Sequence, residues 1–356
     1  MADTTKIQYT DYTLNPWIGC SKVHTGCQNC YAEEFGTRFG VKWGPNGTRR
    51  KTAESTWRKP LVWDKKAKAE GVRRRVMFSL GDPFEAWDGP IVNHLGYRLW
   101  REVYDGIIDY CYYCYEDDEG PVFRKCKGFR PATLDDLRCD LFRLIDETPN
   151  LNWLLFTKRP ENVRTKWPKT PWEHCPKCGA TAPLEDREER FRLDENEDCW
   201  ECAKCGRTSS LFRSNVHLIY SASNQETLEA GLPHLLKCRD LAPVLGLSLE
   251  PLLGPVVIPP EALTQLDWVA VGGESGRDAR PCNIAWIRSV VAQCRAAGVA
   301  CYVKQLGASA IGRCGHPMGE TSNPIRWPLK HPKGGDPSEW PEDLRVFELP
   351  KVEEIE

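Results

Sequence analysis

The feature that most constrains the fold is a series of short apolar runs, each of which ends in polar or charged residues. Buried parallel strands are nearly continuous in apolar character. Six runs have this character: 76–80, 151–156, 216–220, 244–249, 268–271 and 299–303. Segments with helical periodicity separate several of them, most clearly residues 284–297. The chain is therefore predicted to be an α/β protein with a parallel sheet.

Two architectures fit this alternation of strands and helices. A (β/α) barrel, closed or open, carries its active site where the strands end, and this chain places its polar residues there. A doubly wound sheet gives a similar periodicity. No G-x-G-x-x-G motif follows the first run, which weakens a nucleotide-binding fold of that type. The pattern favours the barrel without separating the two.

Composition excludes several classes of protein. The chain has 48 Lys and Arg against 50 Asp and Glu, so its net charge of −2 indicates no particular partner. No run of about 18 apolar residues is present, so no membrane span is predicted. Residues 1–6 lack the apolar region of a signal peptide, and many of the 17 cysteines cluster in pairs. We therefore expect reduced thiols and a cytoplasmic location.

Three cysteines, Cys20, Cys27 and Cys30, follow the spacing C-x6-C-x2-C just before a predicted amphipathic helix. Three close thiolates can hold an iron–sulfur cluster and leave one iron open to a substrate or cofactor. The same spacing suits a zinc site completed by His24, or a set of buried thiols. The spacing alone leaves these interpretations open.

The most specific metal signal is a pair of Cys-x-x-Cys-Gly knuckles in residues 172–208. Zinc ribbons bind tetrahedral Zn²⁺ through four such thiolates, which here are Cys175, Cys178, Cys202 and Cys205. Cys199 lies three residues before Cys202, so a choice of ligands stays open. The highly charged spacer has no core of its own, so zinc would supply the folding free energy.

A second cysteine-containing insertion covers residues 110–140. Cys111 and Cys114 form a pair, whereas Cys126 and Cys139 have no partner at this short spacing. The pair is a candidate for a second zinc site. An auxiliary iron–sulfur cluster and packing thiols are the alternatives.

Residues 41–75 form a basic, loop-rich stretch with interleaved tryptophans. Its first cluster of positive charge is Arg49, Arg50 and Lys51, between Trp43 and Trp57. Positive charge beside aromatic rings suits phosphate backbones and stacked bases. The alternative is a solvated surface loop held in place by its tryptophans.

Several sequence strings, in this order, resemble a phage- and bacterium-associated family of radical-SAM-type proteins with a variant three-cysteine motif. They are NPWIGCSKVHTGCQNCYAE, LLFTKRPENV, GLSLEPLLGPV, DWVAVGGESG-x3-RP and CYVKQLG. The resemblance covers residues 1–100, 141–171 and 214–307, outside both cysteine-rich insertions. The usual radical-SAM motif is C-x3-C-x-aromatic-C. Here six residues separate Cys20 from Cys27, and Asn29 occupies the aromatic position.

The resemblance implies a partial TIM-like (β/α) barrel of the radical SAM type with a [4Fe–4S] cluster on Cys20, Cys27 and Cys30. The fourth iron would chelate the amino and carboxylate groups of S-adenosylmethionine (SAM). One-electron reduction would then give a 5′-deoxyadenosyl radical that abstracts a substrate hydrogen. An electron donor such as flavodoxin is implied, as is the host cytoplasm for a phage-encoded protein.

On this interpretation the barrel has three parts separated by the insertions. The parts are 1–109, with the cysteine motif and the basic stretch, 141–171 and 209–310. The insertions are 110–140 and the zinc ribbon at 172–208, and a Pro- and Gly-rich tail covers 311–356.

The strand ends supply candidate cofactor contacts. Radical-SAM enzymes contact the SAM amino group after the first strand that follows the cluster motif, which here gives Ser79, Gly81 and Asp82. Asp82 is expected to pair with that ammonium, and Lys158 or Arg159 with the SAM carboxylate. The side chains suited to contact the ribose hydroxyls of SAM are Ser221, Ser223 and Asn224.

Glu250, Glu274 and Lys304 are the candidate catalytic residues, because charged groups at the ends of buried strands are costly unless paired or used. A strand-end salt bridge or helix cap is the alternative for every strand-end residue named here.

These inferences predict a radical SAM enzyme that modifies a base in phage DNA. The leading reaction is an isomerisation that rearranges a group on a hypermodified pyrimidine. Two alternatives remain. One is a radical SAM enzyme acting on a peptide or small molecule, and the other is a non-catalytic, zinc-stabilised nucleic-acid-binding protein.

Overall fold

In the computed structural model, a parallel sheet forms the centre of the chain. The structure describes residues 5, 7–102, 110–111, 116–117, 120–121, 129–168, 191–194, 199–202, 208–209, 211–312 and 325–351. Within 102–129 and 191–209 this description covers the backbone alone.

Seven strands make up the central sheet. In chain order they are β1 (Tyr12–Thr13), β2 (Arg74–Phe78), β3 (Leu151–Thr157), β4 (Val216–Ala222), β5 (Val244–Leu249), β6 (Trp268–Gly272) and β7 (Ala300–Gln305). Each pairs in parallel with the next, so the spatial order equals the chain order. A doubly wound sheet would reverse its order at a switch point. The predicted α/β class is confirmed, and the curled half-barrel sheet is consistent with a partial TIM-like fold.

Among the described residues, five longer helices accompany the strands. They are α1 (Tyr31–Arg38), α2 (Lys59–Glu70), α3 (Leu134–Glu147), α4 (Gln225–Leu236) and α5 (Ile284–Ala297). Capping boxes start α3 at Thr133 and α4 at Asn224. Gly298, with φ of 70°, ends α5. Short α-helices cover Glu54–Trp57, Val163–Lys166 and Pro260–Leu263, and 3₁₀ turns cover Thr25–Cys27, Pro160–Asn162, Pro337–Glu339 and Glu342–Leu344.

Small sheets surround the centre. Trp17–Ile18, Arg49–Lys51 and Ile91–Val92 form one, and Trp100–Glu102, Tyr110–Cys111 and Phe129–Pro131 form another. A third joins Cys282–Asn283, Ala310–Gly312 and Ile325–Arg326, and Glu116–Asp117 pairs with Gly120–Pro121. Across the described ranges, no helix combines the length and apolar character needed to cross a bilayer.

The two faces of the central sheet bury different side chains. The outer face packs Leu155, Leu218 and Leu247 against the helices in one large cluster. The concave face buries a smaller cluster: Tyr9, Met77, Leu154, Ile219, Trp268, Ala270 and Tyr302. Neighbours such as Leu154 and Leu155 point to opposite faces because side chains alternate along a strand. Apolar packing on both faces explains why the runs are continuous in sequence.

The cysteine-rich insertions are described only in part. Phe191–Asp194, Cys199–Cys202 and Thr208–Ser209 form an antiparallel sheet in the predicted zinc ribbon. The side chains of the predicted zinc ligands lie outside the described residues, namely Cys111, Cys114, Cys175, Cys178, Cys202 and Cys205, and so does Cys126. Both zinc sites therefore stay predictions. Cys139 lies on α3 as a half-buried free thiol.

Two of the three cations in the first cluster of the basic stretch are buried. Arg49 is 0% exposed, lies 3.7 Å from the ring centre of Trp87 and binds the Glu85 carboxylate. Lys51 is 3% exposed and lies 5.3 Å from the Trp57 ring. The tryptophans and carboxylates enclose both cations, so neither Arg49 nor Lys51 is exposed to a nucleic acid in this structure, and nucleic-acid binding stays a prediction.

Candidate active site

A cavity lies at the carboxyl ends of the central strands. The segment from Gly19 to Cys30, here called the cysteine loop, forms one side of it, and the ends of β2, β3, β4, β5 and β7 form the other. The cavity brings together Cys20, Cys27, Cys30, Ser79, Gly81, Asp82, Lys158, Arg159, Ser221, Glu250 and Lys304. The structure thus places all three cysteines beside most of the strand-end residues that the sequence predicted.

The three thiols are free and largely enclosed. Burial raises the pKa of the Cys20 thiol to about 12, against the opposing effect of Arg159. Burial also raises the pKa of Cys30. Metal binding would therefore have to displace protons from these thiols. In the described part of the chain, no three His, Cys, Asp or Glu side chains are gathered closely enough to form a metal centre as they stand.

Four buried side chains hold the start of the cysteine loop, and we call them the arginine–carboxylate network: Arg49, Asp82, Glu85 and Arg159. Arg159 binds Asp82 at 2.8 Å and Glu85 at 3.2 Å, and Arg49 binds Glu85 at 2.6 Å. The Ser21 amide donates to Glu85 at 2.9 Å, and Arg159 donates to the Ser21 carbonyl at 2.7 Å. Arg159 Nη1 also lies 3.4 Å from Cys20 Sγ. The network therefore fixes Cys20 at the cavity wall.

The network gives Asp82 and Arg159 partners that differ from the predicted ones. Asp82 Oδ1 accepts from Phe84 N and Thr157 Oγ1, and Oδ2 accepts from Lys158 N and Arg159. Both carboxylate oxygens are thus used within the protein, which removes Asp82 as the partner of the SAM ammonium. Within the described ranges, the Lys158 side chain forms no hydrogen bond or ion pair. Of the two predicted carboxylate-binding cations, Lys158 is the one left free.

Ser79 and Gly81 connect the end of β2 to the cavity. Ser79 donates through its amide and hydroxyl to Asn15 Oδ1, at 3.0 and 3.3 Å. Its carbonyl accepts from the Tyr31 hydroxyl at 3.3 Å. A Cβ on Gly81 would lie 2.8 Å from Phe78 Cζ, so only glycine allows this close approach. Both residues line the cavity as predicted, but the Ser79 hydroxyl already has an acceptor.

His24 joins the middle of the cysteine loop to β4. Its Nδ1 accepts from the Gly26 amide at 3.0 Å, and its Nε2 lies 3.3 Å from the Ser221 carbonyl, to which it can donate. Burial, assisted by the charge of Lys158, lowers the pKa of His24 to about 4. Both ring nitrogens of the neutral imidazole are engaged. A zinc site completed by His24 would have to break one of these contacts.

The three residues predicted to contact the ribose hydroxyls have different environments in the structure. Ser221 lines the cavity. Ser223 is fully buried under the loop, where a Cβ on Gly26 would lie 2.0 Å from Ser223 Oγ. Asn224 caps α4 by accepting from Thr227 N. Only Ser221 is therefore placed to meet a cofactor, and Asn224 has the helix-cap role considered as its alternative.

Glu274 holds the end of the cysteine loop instead of lining the cavity. Arg280 binds both carboxylate oxygens of Glu274, at 2.9 and 2.6 Å, and also donates to the Thr25 carbonyl at 2.8 Å. Asn29 donates to Glu274 at 3.1 Å. Burial opposes ionisation, but these hydrogen bonds outweigh it and hold the pKa of Glu274 below its usual value. The salt-bridge alternative therefore describes Glu274.

Lys304 and Glu250 form an ion pair across the cavity, with Nζ and Oε2 2.5 Å apart. Lys304 also lies 5.5 Å from the ring centre of Tyr9. Sequence reasoning assigned no site role to Tyr9, Tyr31, Glu85 or Arg280. Two of them had a visible signal: Arg280 lies in the string DWVAVGGESG-x3-RP, and Tyr31 lies in NPWIGCSKVHTGCQNCYAE.

Comparison with known proteins gives one match. Residues 4–87 and 126–323 match a family described as "Protein of unknown function (DUF5131)". The match omits residues 88–125, where Cys111 and Cys114 lie, and includes the segment 172–208, which we expected outside the resemblance. No curated protein and no solved structure matches the chain.

The low pKa of His24 predicts a pH-dependent stability. Folded chains protonate His24 near pH 4 and unfolded chains near pH 6.5, so the unfolded state binds more protons in between. The stability that neutral His24 contributes should be complete above about pH 6.5 and lost as the pH falls toward 4. Urea unfolding should show that the advantage of wild type over His24→Gln shrinks between pH 7 and pH 5. A difference between wild type and His24→Gln that does not change with pH would contradict the prediction.

The Glu274 contacts predict that the loop loosens when this charge is removed. Glu274→Gln keeps the size of the side chain but weakens its bonds to Arg280 and Asn29. We expect amide hydrogen exchange in residues 25–29 to accelerate about tenfold, as loss of one charge-assisted hydrogen bond implies. Mass spectrometry would measure it, with Asp343→Asn in the exposed Arg288–Asp343 pair as the control. Unchanged exchange in Glu274→Gln would show that the loop is held by other contacts.

Proposed function

We propose that this chain, which belongs to the DUF5131 family of proteins of unknown function, is a radical SAM enzyme. The observation that supports this most is that Cys20, Cys27 and Cys30 line one cavity at the carboxyl ends of a parallel sheet in barrel order. Enzymes with such sheets place their chemistry at this end. When bound there, a [4Fe–4S] cluster and SAM supply the one-electron chemistry that breaks unactivated C–H bonds.

The donor set fits a cluster with one open iron. Three thiols are soft ligands that suit zinc or iron–sulfur clusters, and all three come from one loop. A structural zinc ion would need a fourth ligand. The candidate considered from the sequence, His24, uses both ring nitrogens in backbone contacts. This argument favours the cluster over zinc at the three cysteines, and with it the enzyme over the non-catalytic binding protein.

The surrounding residues would support the cluster and the cofactor in different ways. Arg159 would donate to the Cys20 sulfur and stabilise its deprotonated form, while Asp82 and Glu85 keep the guanidinium in place. Lys158 would bind the SAM carboxylate, since its ammonium faces the same cavity without an acidic partner in the described residues. Ser221 is the candidate for a ribose hydroxyl.

For the substrate, we propose a base in DNA, with rearrangement of a group on a hypermodified pyrimidine as the reaction. The zinc-ribbon pattern and the phage-associated resemblance support it. The basic cluster that supported a DNA substrate is weakened as evidence, because Arg49 and Lys51 are buried. Their burial favours the second candidate, a radical SAM enzyme acting on a peptide or small molecule. An electron donor such as flavodoxin and a cytoplasmic location belong to either proposal.

Anaerobic reconstitution tests the enzyme proposal directly. We expect about four iron and four sulfide per chain, and conversion of SAM to 5′-deoxyadenosine after reduction with dithionite. Changing Cys20, Cys27 or Cys30 to Ala should remove both properties, whereas Cys139→Ala on α3 should keep them. Zinc bound at the three cysteines together with no SAM cleavage would refute the proposal.

Lys158 gives a second prediction, for cofactor binding. Lys158→Met should weaken SAM binding about tenfold or more, because a charge-assisted hydrogen bond is lost. Lys158→Arg should recover part of the affinity. Calorimetric titration of the reconstituted protein would measure the dissociation constant, with exposed Lys237→Met as the matched control. Equal affinity in Lys158→Met and Lys237→Met would rule out the proposed role.

A further inference from the structure

The ion pair between Lys304 and Glu250 leaves one carboxylate oxygen unused. Glu250 Oε2 binds Lys304 at 2.5 Å, and the Glu250 side chain is 12% exposed. Glu250 Oε1 is buried and has no hydrogen-bond donor within the described ranges. An ionised carboxylate oxygen without a donor is unfavourable when buried. Glu250 Oε1 is therefore free to accept a hydrogen bond from a bound molecule.

Lys304 supplies the complementary group. Its ammonium lies beside Glu250 and 5.5 Å from the ring centre of Tyr9. Burial opposes its charge, but Glu250 and Tyr9 outweigh burial and raise the pKa of Lys304 above its usual value. An ammonium only donates hydrogen bonds and an ionised carboxylate only accepts them. The cavity thus presents a donor next to an acceptor that lacks a partner.

The combined charge of the pair restricts what it can bind. A phosphate or carboxylate would meet the negative charge of Glu250, and an alkylammonium would meet the positive charge of Lys304. A neutral group that carries both an N–H and an acceptor satisfies both residues at once. Tyr9, Tyr31 and Phe156 line the same cavity, and aromatic side chains can stack on a planar ring.

We propose that Lys304 and Glu250 bind the imide edge of a pyrimidine substrate, with the ring N–H on Glu250 Oε1 and a carbonyl oxygen on Lys304. The inference rests on the proposed function, whose substrate class it narrows to thymine- or uracil-type bases. A base in DNA would have to leave the stack to reach a cavity at the strand ends.

Calorimetric titration with two nucleosides tests this proposal. The full chain, without cluster or SAM, is titrated with thymidine and with N3-methylthymidine, whose N–H is blocked. We expect thymidine to bind about tenfold more tightly or better, since the methylated base leaves the carboxylate without a donor. The double variant Glu250→Leu/Lys304→Met removes both charges together, so no unpaired charge stays buried. Its affinities for the two nucleosides should differ by less than about twofold.

A matched control is Arg288→Met/Asp343→Leu, which removes an exposed ion pair and should keep the preference for thymidine. Equal binding of both nucleosides to wild type, no binding of either, or a preserved preference in the Glu250/Lys304 variant would overturn the proposal. So would loss of 5′-methylthioadenosine binding in that variant with thymidine binding unchanged, because the pair would then serve the cofactor's adenine. Since the titration uses neither cluster nor SAM, its failure is distinct from failure of SAM cleavage.

Discussion

The arrangement of the site depends on the arginine–carboxylate network. Two guanidinium groups and two carboxylates balance in charge, and each side chain is at most 6% exposed. Removing one partner of a buried ion pair typically costs about 3–5 kcal/mol, because the remaining charge is left without compensation. The network links the strand Arg49–Lys51, the end of β2, the end of β3 and Ser21. The position of Cys20 thus depends on contacts with three separate strands.

The six-residue gap between Cys20 and Cys27 has a structural explanation. Between Cys20 and Cys27 the loop contacts four separate parts of the site. Ser21 binds the network, His24 reaches the end of β4, Thr25 accepts from Arg280, and Gly26 packs on Ser223. A gap of three residues would be too short for all of these contacts, since each residue spans at most about 3.6 Å. The extra residues therefore carry the loop across the strand ends from β2 to β6.

Sequence patterns predicted the features that depend on residues close together in the chain. They missed the contacts between residues that are far apart in the chain. Continuous apolar runs were enough to predict the parallel strands, although the two-residue β1 was too short to recognise. The partners of charged residues could not be read in the same way. Arg49 is buried because Glu85, 36 residues later, meets it, and Asp82 is occupied because Arg159, 77 residues later, binds it. From the positions of the charges in the sequence alone, we predicted that Arg49 and Asp82 were both available to ligands.

The N-terminal segment completes the concave face of the half barrel. Tyr9 contacts Trp268 at 5.3 Å and Tyr302 at 5.5 Å, measured between ring centres, and the Tyr302 hydroxyl lies 3.3 Å from Gln8, 294 residues earlier. Contacts between residues so far apart in the sequence form late in folding. The chain must lose the entropy of closing the long loop before the contact gives any stabilisation. During synthesis on the ribosome, the concave face of the sheet cannot be completed before β7 has emerged from the ribosome.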